Sequence, residues 1–227
     1  MKDASTSPRP GLWISFEGGE GTGKSTQIER LAARLAGEGH PVLRTREPGG
    51  TELGRALRAL LLRPAEHPMS PVAELMLYAA DRVQHLEERI LPALARGEIV
   101  LCDRYLDATL AYQGFGRELG VDRVLALHRL PPLDQRPDRT LLLDLAPEKA
   151  LERARRRDAG TGRDSTEGRF EREDIEFHDR VRRGYLELAR REPLRFRVVD
   201  ASGSPDEVEK AIGAALGGLA FPATGPG

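Results

Sequence analysis

Between residues 18 and 25 the chain reads GGEGTGKS, and this stretch restricts the fold more than any other. It satisfies G-x-x-x-x-G-K-[ST], with Gly18, Gly23, Lys24 and Ser25 at the fixed positions, directly after the alternating apolar run Leu12-Trp13-Ile14-Ser15-Phe16. A backbone whose amides converge on a polyphosphate needs torsions that side chains obstruct, and the resulting nest of N–H groups is a concave anion site. The loop formed by Gly18, Gly19, Glu20, Gly21, Thr22, Gly23, Lys24, Ser25 and Thr26 is therefore expected to hold nucleotide phosphates. Lys24 should reach the β- and γ-phosphates, the helix beginning near it should aim its positive end at them, and the Ser25 hydroxyl is placed to ligate Mg²⁺.

A strand that feeds such a loop and then a helix belongs in an α/β domain, and 227 residues suit one such domain. The net charge of −1 lacks the basic excess that nucleic-acid or membrane surfaces usually carry, so small-molecule partners are expected, with neither nucleic acid nor membrane among them. Cys102 is the only cysteine, which excludes an intrachain disulfide and suits a reducing compartment; the five histidines lack zinc-ligand spacing. With no apolar signal region and no apolar run long enough to span a bilayer, a cytoplasmic protein is expected.

Residues 1–10 read as a disordered leader, 11–217 as the folded domain and 218–227 as a loose tail. Within the domain a short strand, Pro41 to Arg46, runs into the turn cluster Glu47-Pro48-Gly49-Gly50-Thr51. Open α/β sheets bind ligands at strand carboxyl ends, so Arg46 is poised for an anion. Helices are expected over 51–62 and from Pro71 to about Leu94, the second with a broad apolar stripe that leaves Tyr78 and Arg82 off its centre. The apolar strand 98–102 ends in Asp103-Arg104-Tyr105, where a carboxylate that organises Mg²⁺ belongs, with Arg104 adding an anion contact. The run Thr109 to Gly116 suits a pocket for a flat heterocycle, Tyr112 to pack and Gln113 to hydrogen-bond, and a helical stretch from Val121 to Leu130 follows. A strand at 139–145 precedes a helix from Glu148 to Arg157, and the polar, glycine-bearing stretch 158–168 reads as a mobile lid spanning about 154–170. Arg169 opens a helix to about Arg191, followed by a last strand at 194–200 and a helix at 205–216.

Taken together, GGEGTGKST, TREPGGT, AADR, CDRY, AYQG, and the RFE-led helix ending in RGYLELA resemble thymidylate kinases in order and spacing, over roughly residues 12–212. The resemblance implies a three-layer α/β/α nucleoside monophosphate kinase fold on a five-stranded parallel sheet, ATP and dTMP as substrates, Mg²⁺ as cofactor, and a homodimer built on long helices. It further implies that Glu20 faces the deoxyribose 3′-hydroxyl, that Arg46, Arg82 and Arg104 hold the acceptor phosphate, and that Asp103 stands near Mg²⁺ and the transferred phosphoryl. Tyr78, in place of the usual phenylalanine, is implied to stack on thymine, with Thr109, Tyr112 and Gln113 around the base. Some members carry an arginine directly after the acidic residue of the loop; here that position is Gly21, so the lid should supply the catalytic cation, Arg169 first and Arg163 second.

A guanine-specific switch protein would also carry the phosphate loop, but it reads its base with Asn-Lys-x-Asp and this chain contains no asparagine. A kinase of another nucleoside monophosphate or small metabolite remains the alternative, because loop and lid serve only the ATP side.

Overall fold

The computed structural model describes residues 11–63, 69–161 and 168–222, with the backbone alone over 157–161. Strand β1 (Leu12–Glu17) is buried along its whole length because both faces of the sheet are covered. Its alternation sorts side chains into two cores: Leu12, Ile14 and Phe16 pack with residues of α1 (Lys24–Gly37) and α9 (Pro205–Ala215), whereas Trp13 joins a second core on the opposite face. Ser15 and Glu17 point the same way as Trp13, so an acid at the end of β1 is carried into that second core.

The remaining strands are β2 (Val42–Arg46), β3 (Ile99–Asp103), β4 (Arg139–Asp144) and β5 (Phe196–Asp200). All neighbours pair in parallel in the order β2-β3-β1-β4-β5. The five-stranded parallel sheet and its helical layers are as expected. Chain progression reverses direction around β1, which makes its carboxyl end the crevice where such sheets bind ligands. The register puts Phe16 and Arg46 both opposite Asp103, so the ends of β1, β2 and β3 line that crevice together.

Helix α2 (Glu52–Leu62) is capped by the Thr51 side chain, and α3 (Pro71–His85) by Ser70 with Pro71 at its first turn. The expected helix to Leu94 is interrupted by a π-helical stretch, Leu86–Ile90, before α4 (Leu91–Ala95). Pro92, with no N–H to donate, stands two residues after the irregularity.

The structure adds one helical run and shifts three expected boundaries. The pocket-forming run is itself helical, as α5 (Leu106–Thr109) and π-helical Leu110–Gly116, because its small and aromatic residues face the core of α8 (Ile175–Arg191). Helix α6 (Val121–Leu127) stops short of Leu130. Helix α7 (Pro147–Thr161) runs four residues past Arg157 into the stretch read as lid. The helix expected at Arg169 begins instead at Ile175, since Asp174 accepts from the Phe177 N–H as an N-cap; Phe170–Arg172 form a single 3₁₀ turn. Among the described residues no helix is long and apolar enough to cross a membrane.

Candidate active site

The phosphate loop is wedged between two backbone segments. Gly18, Gly21 and Gly23 take φ of 134°, 71° and 90°, and a Cβ on Gly21 would stand 2.0 Å from the Ala150 carbonyl oxygen of α7. The first turn of α1 holds no acidic residue, so its positive end stays open to an anion. Lys24 Nζ donates to the carbonyls of Gly19 at 2.8 Å and Gly18 at 3.2 Å, which folds the side chain over the loop. Burial and then Arg104 push its pKa down to about 8, against the pull of Asp103 and Glu20. Ser25 Oγ donates to Asp103 Oδ2 at 3.0 Å, joining the start of α1 to the end of β3. A hydroxyl and a carboxylate oxygen side by side are the hard donors that Mg²⁺ takes together with nucleotide phosphates, so the residues present fit the ion. Among the described residues no group of three or more His, Cys, Asp or Glu forms a separate metal cage.

On the other side of the loop the structure brings Glu20, Arg104 and Tyr112 together. Arg104 Nη2 donates to Glu20 Oε1 at 2.6 Å and to the Tyr112 hydroxyl at 3.1 Å, and that hydroxyl donates in turn to Glu20. Arg104 Nη1 donates to the Gly18 carbonyl and the Tyr185 hydroxyl. Burial alone would raise the Glu20 carboxyl, but Arg104, then Lys24 and Tyr112, hold its pKa at about 2. Tyr112 thus does more than pack: its ring meets Phe170, Phe177 and Tyr185 edge-on while its hydroxyl joins the charged network.

Arg82 shares no hydrogen-bond partner with Arg104. It is 1% exposed, and its Nε donates to Glu47 at 2.8 Å, its Nη2 to Thr109 Oγ1 at 2.9 Å, and its Nη1 to His128 Nε2 at 2.7 Å. His128 donates its other nitrogen to the Val124 carbonyl; burial and Arg82 lower its pKa to about 4, so it accepts from the guanidinium as a neutral ring. Burial opposes the charge on Glu47 and on Arg82, yet each keeps the other ionised. Thr109 is therefore a buried acceptor for Arg82, while Arg46 is exposed at the end of β2.

A third cluster gathers around Glu74, fully buried in the first turn of α3. It accepts from Gln113 Nε2 at 2.7 Å, from Arg169 Nη2 at 2.5 Å and from Arg117 Nε at 3.4 Å. Arg169 also donates to the Leu61 carbonyl, so its guanidinium is spent at the junction of α2 and α3. Tyr78 is half-buried one turn beyond Glu74, and its phenol is raised above its ordinary pKa by burial and by Glu74. Arg163 lies outside the described residues.

Sequence reasoning missed Glu17, Glu47, Glu74, His128 and Tyr185, each of which fixes a residue it did find. The only local signal was an acid closing the apolar strand β1; the others declare themselves through partners many residues distant. It also missed a pocket of about 390 Å³ of empty space lined by the loop residues Gly18, Gly19 and Glu20 and by His178, whose Nε2 is buried without a partner.

A phosphate-binding loop at the switch point of this sheet, faced by an arginine–carboxylate pair across the crevice, defines a nucleoside monophosphate kinase of the P-loop class. Residues 16–212 match the thymidylate kinase family, and the chain belongs to that family. The thymidylate kinase of Syntrophotalea carbinolica is 55% identical over 197 residues, covering 87% of this chain and 91% of its own. That of Solidesulfovibrio magneticus is 50% identical over 208 residues, covering 92% of this chain and 100% of its own. Among solved structures, the thymidylate kinase of Ehrlichia chaffeensis superposes with a TM-score of 0.73 at 30% identity, over 91% of this chain and 98% of that one.

Proposed function

We propose that the protein transfers the γ-phosphoryl group of ATP to dTMP, giving dTDP and ADP, a step toward dTTP. The observation that carries this is the meeting, at the end of β1, of a phosphate loop bearing Lys24 with the Glu20–Arg104–Tyr112 network. One side suits a triphosphate and the other a nucleotide that presents both a phosphate and a sugar hydroxyl. A phosphate oxygen of dTMP attacks the γ-phosphorus in line and the bond to the bridging oxygen breaks, so no covalent enzyme intermediate is needed. Ser25 and Asp103 would hold Mg²⁺, which would neutralise charge on the nucleotide phosphates.

The chain's own part is positioning. Lys24 and the loop amides of Gly18 to Thr26 hold the donor; Glu20 accepts the 3′-hydroxyl; Arg104, fixed by four hydrogen bonds, and the exposed Arg46 meet the acceptor phosphate. Arg82 acts by holding Thr109 and Glu47 in place, Gln113 and Tyr112 wall the base pocket, and Tyr78 supplies its aromatic face. The cation that follows charge onto the γ-phosphoryl comes from the segment ending at Arg169, either Arg169 itself or Arg163, because Gly21 has no room for a side chain. The family's homodimer and a cytoplasmic setting complete the reading.

Parallel assays with dTMP, dUMP, dCMP, dGMP and AMP test it, with the highest kcat/KM expected for dTMP. A clear preference for another acceptor would transfer the chain to a different monophosphate, which is the alternative reading.

A further inference from the structure

We propose that Glu17 is a positioning residue for Arg104, fixing the arginine that meets the acceptor phosphate; the inference rests on that assignment of Arg104. Arg104 is one of two described non-glycine residues with positive φ, at 71°, a left-handed conformation that an L-residue adopts at a cost. Something must hold it there. Its own N–H donates to the Phe16 carbonyl at 3.0 Å, and the next amide, that of Tyr105, donates to Glu17 Oε1 at 2.7 Å. The second carboxyl oxygen of Glu17 bonds the Tyr185 hydroxyl at 2.9 Å, and that hydroxyl accepts from Arg104 Nη1 at 3.2 Å. One side chain thus grips both ends of the same residue: the backbone just after Arg104 directly, and its guanidinium through Tyr185.

Glu17 is fully buried and stands one residue before the phosphate loop, yet nothing in the phosphoryl transfer calls on it. The charged groups around it are Asp107 of α5, Arg104, and Lys24 of α1. Burial and then Asp107 push its pKa up, against Arg104 and its two hydrogen bonds. Tyr185 donates to Glu17 Oε2; glutamine keeps an oxygen for the Tyr105 amide and offers Tyr185 an N–H that its hydroxyl can accept by turning, whereas methionine keeps the volume and loses both bonds.

The test measures separate KM values for dTMP and ATP in the intact enzyme for E17Q, E17M, Y185F and R104A. A raised dTMP KM in R104A establishes the underlying assignment; an unchanged one overturns that assignment and this inference with it. Given that rise, E17M should increase the dTMP KM about tenfold or more with the ATP KM within about twofold, as expected for misplacing one binding group. E17Q should stay within about threefold of wild type, and Y185F should move in the direction of E17M by a smaller factor. Equal damage to both substrates, or E17Q as impaired as E17M, would overturn the inference. Should E17M fail to fold, Y185F decides, because it removes only the bridging hydroxyl: an unchanged dTMP KM there sinks the proposal.

Discussion

Arg82 and Glu47 are 1% and 2% exposed at their side chains and lie 2.8 Å apart, so neither can fall back on water when the other is removed. Truncating Arg82 to Ala leaves the Glu47 carboxylate with His85 alone, and losing one partner of a buried pair costs about 3–5 kcal/mol. Urea denaturation of Arg82→Ala should show a loss of that size; a loss below about 1 kcal/mol would mean the pair is compensated by its surroundings. Asp81, next in the chain, gives a pH signature. It is fully buried, one oxygen accepts from the Gly49 amide, the other has no partner, and burial and then Glu47 push its pKa from 3.8 up to about 6. A raised carboxyl pKa means the folded state holds a proton that the unfolded chain has released. Its contribution is therefore fully present below about pH 4 and is lost as pH rises through about 6, amounting to about 3 kcal/mol. Asp81→Asn should flatten the stability profile between about pH 4 and 6 and be more stable than wild type at pH 7. A profile in the variant as steep as in the parent would assign the titration elsewhere. Arg82 could be picked out from the sequence because it follows an acid on a long helix beside the crevice. Its partners could not, since Glu47 and His128 are 35 and 46 residues away and no helical or strand period connects them.

Helix α7 reaches the site through backbone, not through side chains. Its Ala150 carbonyl presses on Gly21, where even a methyl group would sit 2.0 Å from oxygen in a left-handed conformation at φ 71°. Gly21→Ala must therefore move either the loop or the helix, at a cost of about 1–3 kcal/mol for overpacking with a further 1–2 kcal/mol for the torsion. The expected outcome is a lowered Tm together with a raised ATP KM; an unchanged ATP KM would show that α7 yields while the loop keeps its shape. The same contact explains why an arginine finger must come from elsewhere, and Arg169 is the candidate within the described residues. Its guanidinium now satisfies Glu74, so a direct role requires it to leave a fully buried carboxylate that would retain Gln113 and Arg117. Loss of a transition-state contact lowers kcat with little change in nucleotide affinity, whereas loss of an anchor lowers stability and disturbs Gln113. If Arg169 delivers the charge, Arg169→Ala should cut kcat by ~10³-fold at an unaltered ATP KM. A few-fold change in kcat with a lower Tm would leave Arg169 as the anchor it is here and pass the role to Arg163. At this scale the sequence was readable where a period or a cap was local, as for α1, α2, α3 and the strands. It carried no helical signal at Leu106–Gly116 and was misread at Arg169, where tertiary contacts with α8 and the Asp174 cap decide what becomes helix.

For the molecule as a whole, the apolar strands joined by amphipathic helices allow little besides a covered parallel sheet, which is why the architecture could be anticipated. How copies of the chain associate depends instead on which apolar residues are left uncovered. Most large apolar side chains are buried, but Leu53 and Leu60 on α2 are 48% and 56% exposed, and Val72 and Met76 on α3 are 46% and 51% exposed. The first pair is spaced by seven residues and the second by four, so each lies on one helix face, and the two helices pack together. Exposed apolar helix faces of this kind are what a self-complementary two-fold interface uses. Burying them against a second chain adds stabilisation at about 25 cal/mol per Å² of apolar area, whereas a charge placed among them must be desolvated without a partner. Light scattering at micromolar concentration should therefore give the mass of two chains. Met76→Glu would set like charges into such an interface, and should shift the protein to one chain while its circular dichroism stays unchanged. A dimer that survives Met76→Glu and Leu60→Glu would have to be built on another face, and a wild-type protein that sediments as a monomer would show that α2 and α3 present their apolar residues to something other than a second copy.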